Sequence, residues 1–158
     1  MVRSPRTQQL LLGVLAVLLA VSGVAFASTA GAQVSWQQRD AIDIQATEFR
    51  VVDGDEPTVE ATVEVRNPTS VPIVVRASGV VLYEAVAAEG NALSTPRSER
   101  LADGAATVGA GETATVTLVA DLTPEDVEPT RTAIEEDRAV LSGSFLVEIR
   151  GRNAYVDV

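Results

Sequence analysis

The chain contains no cysteine, no histidine and no lysine. Without thiolate or imidazole there is no Ser-His-Asp triad, no cysteine nucleophile, and no His- or Cys-held zinc, haem or iron–sulfur cluster. The missing lysine removes Schiff-base and Ser-Lys schemes, and the missing cysteine removes a lipidated N-terminal anchor. Aromatic residues are scarce too: beyond the first 30 positions only Trp36, Phe49, Tyr83, Phe145 and Tyr155 remain. Paired-carboxylate chemistry of the glycosidase kind survives these exclusions, but it needs two acids roughly 5–9.5 Å apart beside an aromatic-lined sugar cleft. Phe49, Tyr83 and Phe145 fall in strand patterns and read as core, so a sugar platform is poorly supplied. A carboxylate-based glycan hydrolase is kept as a remote alternative. The reading is of a non-enzyme with no catalytic residue, no cofactor and no metal ligand.

What is present is acid. All 12 basic residues are arginine, against 22 Asp and Glu, leaving the chain at −10. Arg3 and Arg6 precede every carboxylate, so the remainder is more acidic still. Surplus surface carboxylate is a halophile's device for solubility, effective where salt screens repulsion over roughly 3 Å at 1 M. The source reads as a salt-loving, archaeal microbe, with an acidic mesophilic domain of high-GC codon bias as the alternative. The same charge excludes nucleic acid as a partner, since no arginine cluster beyond the spaced pair Arg150 and Arg152 answers phosphate.

Leu10 to Ala27 is interrupted only by Gly13, Ser22 and Gly23, and no charge follows Arg6 until Arg39. Eighteen such residues rise about 27 Å, close to the roughly 30 Å of a bilayer's hydrocarbon. The expected organisation is a basic cytoplasmic n-region over 1–9, a transmembrane anchor or signal segment over 10–28, a polar stem over 29–40 and an extracytoplasmic domain over 41–158. Length favours a retained anchor, with the N-terminus inside and the domain outside. The triplets Ala25-Phe26-Ala27 and Ala30-Gly31-Ala32 offer peptidase sites and keep secretion after signal cleavage as the alternative. Trp36 belongs either at the lipid head groups or over one end of the domain core.

Past the stem the hydrophobic period is two. Val59, Ala61, Val63 and Val65 alternate with Thr58, Glu60, Thr62, Glu64 and Arg66, which gives a strand one dry face. Thr113 to Ala120 and Leu141 to Arg150 repeat the scheme. Weaker strands are expected over Ile42–Val52, Ile73–Ala85, Arg97–Leu101 and Ala154–Val158. Turn chemistry separates them at Asp53-Gly54-Asp55, Asn67-Pro68, Glu89-Gly90-Asn91, Asp103-Gly104 and Gly109-Ala110-Gly111. The fold class is therefore all-β, a seven-stranded antiparallel sandwich of immunoglobulin or fibronectin type. One short helix is expected over 123–138. Thr123 serves as its N-cap, Pro124, Glu125 and Asp126 form its first turn, Pro129 kinks it and Ile134 is its main apolar contact.

The order of pieces carries a resemblance. Val59-Glu-Ala-Thr-Val-Glu-Val-Arg-Asn-Pro68, then Ser70-Val-Pro-Ile73, Val81-Leu-Tyr83, Leu101-Ala-Asp-Gly104, Val108-Gly-Ala-Gly-Glu-Thr113, a helix and Leu141-Ser-Gly-Ser-Phe145 together resemble the late-embryogenesis-abundant type 2 domain, also called the water-stress and hypersensitive-response domain. The likeness covers about residues 42–150. It departs in a longer, more polar connection from Glu84 to Arg100 and in Pro129. The resemblance implies a seven-stranded sandwich with one helix and a non-enzymatic role in desiccation or solute stress, often beside a membrane, and it transfers no active site.

Individual polar groups read as structure. Asn67 bonds back in an Asx-turn while Pro68 and Pro72 fix φ and withhold amides. Asp53, Asp55 and Glu56 surround a glycine and raise a calcium question, yet position 12 of that loop is Glu64, inside a strand. A solvated hairpin tip is the preferred reading. Tyr155 with Tyr83 marks a contact patch only if its own sheet leaves it uncovered. The functional expectation is a membrane-tethered extracytoplasmic module for envelope or water and salt stress. The alternative is an accessory binding subunit of an envelope transporter or secretion complex, with another envelope protein as partner.

Overall fold

The computed structural model describes residues 14–22, 34, 36–84 and 91–158. Eight strands follow in chain order: β1 (Asp43–Val52), β2 (Thr58–Arg66), β3 (Ile73–Glu84), β4 (Arg100–Leu101), β5 (Ala106–Val108), β6 (Thr113–Asp121), β7 (Ala139–Ile149) and β8 (Arg152–Asp157), with one helix, α1 (Val127–Glu135), between β6 and β7. They form two four-stranded antiparallel sheets, β1-β2-β6-β4 and β5-β3-β7-β8. The expectation of seven strands is corrected to eight. The added strand, β5, is three residues pairing Ile73–Val75 at a sheet edge, too short to display an alternation.

Alternation does its work in β2, where Val59, Ala61, Val63 and Val65 are all buried while Glu64 and Arg66 are exposed. Phe145, Val147 and Ile149 of β7 lie beside Ile73 and Val75 of β3 in one sheet and face Ala61, Val63 and Val65 of β2 across the interior, in one cluster. Each fully buried Val, Ile or Phe contributes about 1.5–3 kcal/mol of transfer free energy. A second, smaller cluster gathers Val59, Leu82, Leu93, Ala120, Leu122 and Ala133 beneath α1.

Two bulges shape the strands. In β1 the register shifts between Ala46 and Glu48, so inward positions pass from Ile42 and Ile44 to Phe49 and Val51. In β3 it shifts between Ser78 and Val81, and burial passes from Ile73 and Val75 to Val80 and Leu82. An inserted residue inverts the parity of everything after it. At the second bulge Gly79 takes φ 73° and faces Gly143 of β7, φ 131°, so closely that a Cβ on Gly143 would lie 2.1 Å from the Gly79 carbonyl oxygen.

The helix begins later than capping chemistry indicated. Residues 124–126 form a turn in which the Asp126 N–H donates to Thr123 O, and the Thr123 hydroxyl lies 2.6 Å from Asp126 Oδ2. Asp126, not Thr123, is the N-cap. Pro129 thus falls in the first turn, where its missing N–H has no intrahelical partner to lose. Thr130 and Ala133 are the buried positions of α1, with Ile134 half-buried.

The N-terminal expectation is also corrected. Among the described residues no helix is long and apolar enough to cross a membrane. Of the expected 10–28 span, residues 14–22 are described, as helix. The transmembrane or signal anchor, the membrane as partner and the single-pass placement at a cell membrane are not supported. The n-region over 1–9, the remainder of 10–28, the first part of the stem and the Glu89-Gly90 turn lie outside the described residues. The last part of that stem is no free tether. Trp36 packs against the main core, and Arg39–Ala41 form a single 3-10 turn leading into β1.

Candidate functional site

Asn67 ends β2 with its side chain fully buried. Its Oδ1 accepts from the Thr69 N–H at 3.0 Å, the expected Asx-turn. Its Nδ2 faces Val71 O at 2.9 Å, Val108 O at 3.2 Å and Gly109 O at 2.8 Å. The Thr69 hydroxyl lies 2.8 Å from Asn67 Oδ1 and 2.9 Å from Val71 O. Two sheet-to-sheet crossings, β2 to β3 and β5 to β6, are fastened here by one amide. Every polar atom of Asn67 is taken up by the chain, and the group is a structural knot.

The Asp53-Gly54-Asp55-Glu56 tip is exposed throughout. Arg131 of α1 donates to Asp53 Oδ1 at 2.9 Å, which spends that carboxylate on holding the hairpin to the helix. Glu64 lies on the outer face of β2, away from the tip. Among the described residues no group of three acids is placed to hold a metal ion.

Two shallow depressions are found among the described residues. One, of about 240 Å³, lies on the outer face of the first sheet and is lined by Glu48, Phe49, Arg50, Glu60, Thr62 and Thr117. Register explains it: Arg50 stands opposite Glu60, Glu48 opposite Thr62, and Thr62 opposite Thr117. Arg50 grips Glu60 through both Nε, at 2.8 Å, and its terminal nitrogen, so the guanidinium fills the space between strands. The other, also about 240 Å³, opens along β6 where β4 stops short, with Leu101, Asp103, Ala106 and Thr115 among its lining.

Two features escaped sequence reasoning. Glu99 Oε1 accepts from the Gly79 N–H at 2.5 Å and braces the bulge of β3, while Glu99 Oε2 is buried without a hydrogen-bond partner among the described residues. No local pattern signals a contact between positions 20 apart in sequence. The Trp36 ring is flanked by Arg39 at 5.3 Å and Arg152 at 5.8 Å, cation–π geometry that joins the start of the domain to β8. Of the two tyrosines weighed as a contact patch, Tyr83 is half-buried while Tyr155 is 70% exposed on β8, the strand aromatic its own sheet leaves open among the described residues.

No family model matches this chain, and no curated protein matches it. Among solved structures it is similar to a protein from Archaeoglobus fulgidus, at 19% identity over 74% of this chain and 90% of that one, with a TM-score of 0.38. It is also similar to part of a β-glucosidase from Streptomyces venezuelae solved with D-glucose, at 20% identity over 74% of this chain and 15% of the enzyme, with a TM-score of 0.27. At these scores neither likeness bears on the chemistry of this chain.

Proposed function

We propose that this chain is a non-catalytic β-sandwich module of the late-embryogenesis-abundant type 2 kind, acting in tolerance of water and salt stress. The observation that carries the reading is the Asn67 knot. The pieces that suggested the family include the end of β2, the turn into β3 and the Gly109–Glu112 turn, and these are the segments that Asn67, Thr69 and Gly111 tie together. The remaining pieces fall in order on β3, β4, α1 and β7.

The mechanism is physical rather than chemical. Outward positions of β2 and β6 carry Glu60, Thr62, Glu64, Thr113, Thr115 and Thr117, a polar grid over a dry core. Carboxylates and hydroxyls at the pleat spacing of about 4.8 Å between strands hold water and cations densely, and the −10 charge keeps copies of the chain apart until salt screens it.

The test is a drying assay. Full-length protein is mixed with a desiccation-sensitive enzyme such as lactate dehydrogenase, dried and rehydrated. Protection above that of an equal mass of albumin is expected; protection no better than albumin refutes the stress role.

A further inference from the structure

Sheet edges expose unpaired backbone groups, and proteins blunt them with bulges, short strands, proline or inward charge. Three of the four edges here are guarded: β1 by its bulge, β4 and β5 by lengths of two and three residues. β8 has six residues, no proline and an unbroken register with β7 from Arg152 to Asp157. Its other side has no neighbouring strand among the described residues.

Which backbone groups face outward is fixed by two observations. Arg150 at φ 49° and Gly151 at φ 78° make a two-residue hairpin turn of the primed type, which closes on a hydrogen-bonded Ile149–Arg152 pair. The Val158 N–H donates to Gly143 O at 3.0 Å, keeping the same parity at the far end. Arg152, Ala154 and Val156 therefore bond to β7, and the N–H and C=O groups of Asn153, Tyr155 and Asp157 point away from the sheet.

We propose that β8 pairs with β8 of a second copy of this chain, antiparallel about a twofold axis at Tyr155. Antiparallel neighbours related by a twofold perpendicular to the sheet must pair residues of like parity, so Tyr155 meets Tyr155 and Asn153 meets Asp157. These are the residues with free backbone groups, and each opposed pair exchanges both hydrogen bonds. Side chains agree with that register. The Asn153 amide faces the opposing Asp157 carboxylate, whose Oδ1 also accepts from the Ser144 hydroxyl of β7 at 2.7 Å, the exposed Tyr155 rings meet at the axis, and Ala154 lies opposite Val156 on the core side. The strand's own charges, Arg152 and Asp157, stand at opposite ends, so antiparallel pairing brings the positive end of one strand beside the negative end of the other. The two second sheets then run on as one sheet of eight strands.

Sedimentation velocity of the full chain in multimolar KCl should show a concentration-dependent dimer. Tyr155→Pro removes an outward N–H that β7 does not use, and should give a folded monomer by circular dichroism and sedimentation. Asn153→Asp leaves the backbone intact but opposes two carboxylates twice per dimer, and should weaken dimerisation about tenfold or more, most strongly at lower salt. Because the chain has no cysteine, Tyr155→Cys should cross-link to itself on mild oxidation, at a Cα separation of about 5.5 Å, while Thr115→Cys on the other sheet should not. A wild-type chain that stays monomeric at every concentration, or a dimer that keeps its affinity in Asn153→Asp, overturns the proposal. If Tyr155→Pro fails to fold, Asn153→Asp and the cross-linking pair decide.

Discussion

Asn67 Nδ2 lies 2.8 Å from the carbonyl oxygen of Gly109, so an amide at the end of one strand closes a turn 42 residues away. Asn67→Ala strips partners from Val71 O, Val108 O and the Thr69 hydroxyl, all buried, and from the part-buried Gly109 O. Leaving buried polar groups unpaired costs about 1–3 kcal/mol each before relaxation, and the expected loss is roughly 3 kcal/mol in denaturant titration. A loss under about 1 kcal/mol would mean the knot is dispensable.

Glycines differ by what surrounds them. Gly143→Ala drives a Cβ into the Gly79 carbonyl, backbone against backbone, and should destabilise by roughly 3 kcal/mol or more or abolish folding. Gly104, at φ 77° with open space about it, should lose only about 1 kcal/mol on substitution by alanine. Equal midpoints for the two variants would refute the close approach of β3 and β7.

The Asp53–Arg131 pair is exposed, with 70% of the Asp53 side chain open to solvent. Asp53→Asn should therefore change stability by no more than about 0.5 kcal/mol, and less as salt rises. Calcium should leave the melting temperature of wild type and variant alike. A calcium-dependent rise abolished by Asp53→Asn would restore the cation reading of this hairpin.

Salt acts on the whole chain. With 22 carboxylates against 12 arginines, melting in multimolar KCl should exceed melting in dilute buffer by about 5 °C or more, equivalent to roughly 1 kcal/mol. A melting temperature indifferent to KCl would remove the halophilic reading of the composition.

How much of this was legible depends on parity. The alternation over 58–66 and 113–120 coincides with β2 and β6 because neither strand is bulged. β1 and β3 looked weaker in sequence for a definite reason: each contains an inserted residue, so a single period-two template fits only half of it. β5 was invisible because three residues carry no period. The later start of α1 reflects a Thr123–Asp126 turn that satisfies locally the groups a cap would have served. The Asn67 turn was readable from its own side chain, whereas its reach to Val108 and Gly109 was not, since nothing nearby in sequence encodes a partner 41 residues on. The apolar opening read as a bilayer span from its length and its lack of charge, and among the described residues no helix is long and apolar enough to cross a membrane.

The interior is divided in two, a large compartment around Phe145 and a small one under α1. The small compartment is closed by one short helix through Thr130 and Ala133 and has little apolar mass of its own. Breathing of the domain accordingly starts at that end. Amides of α1 and of the Leu93 loop will exchange with solvent through partial openings that leave the Phe145 compartment shut.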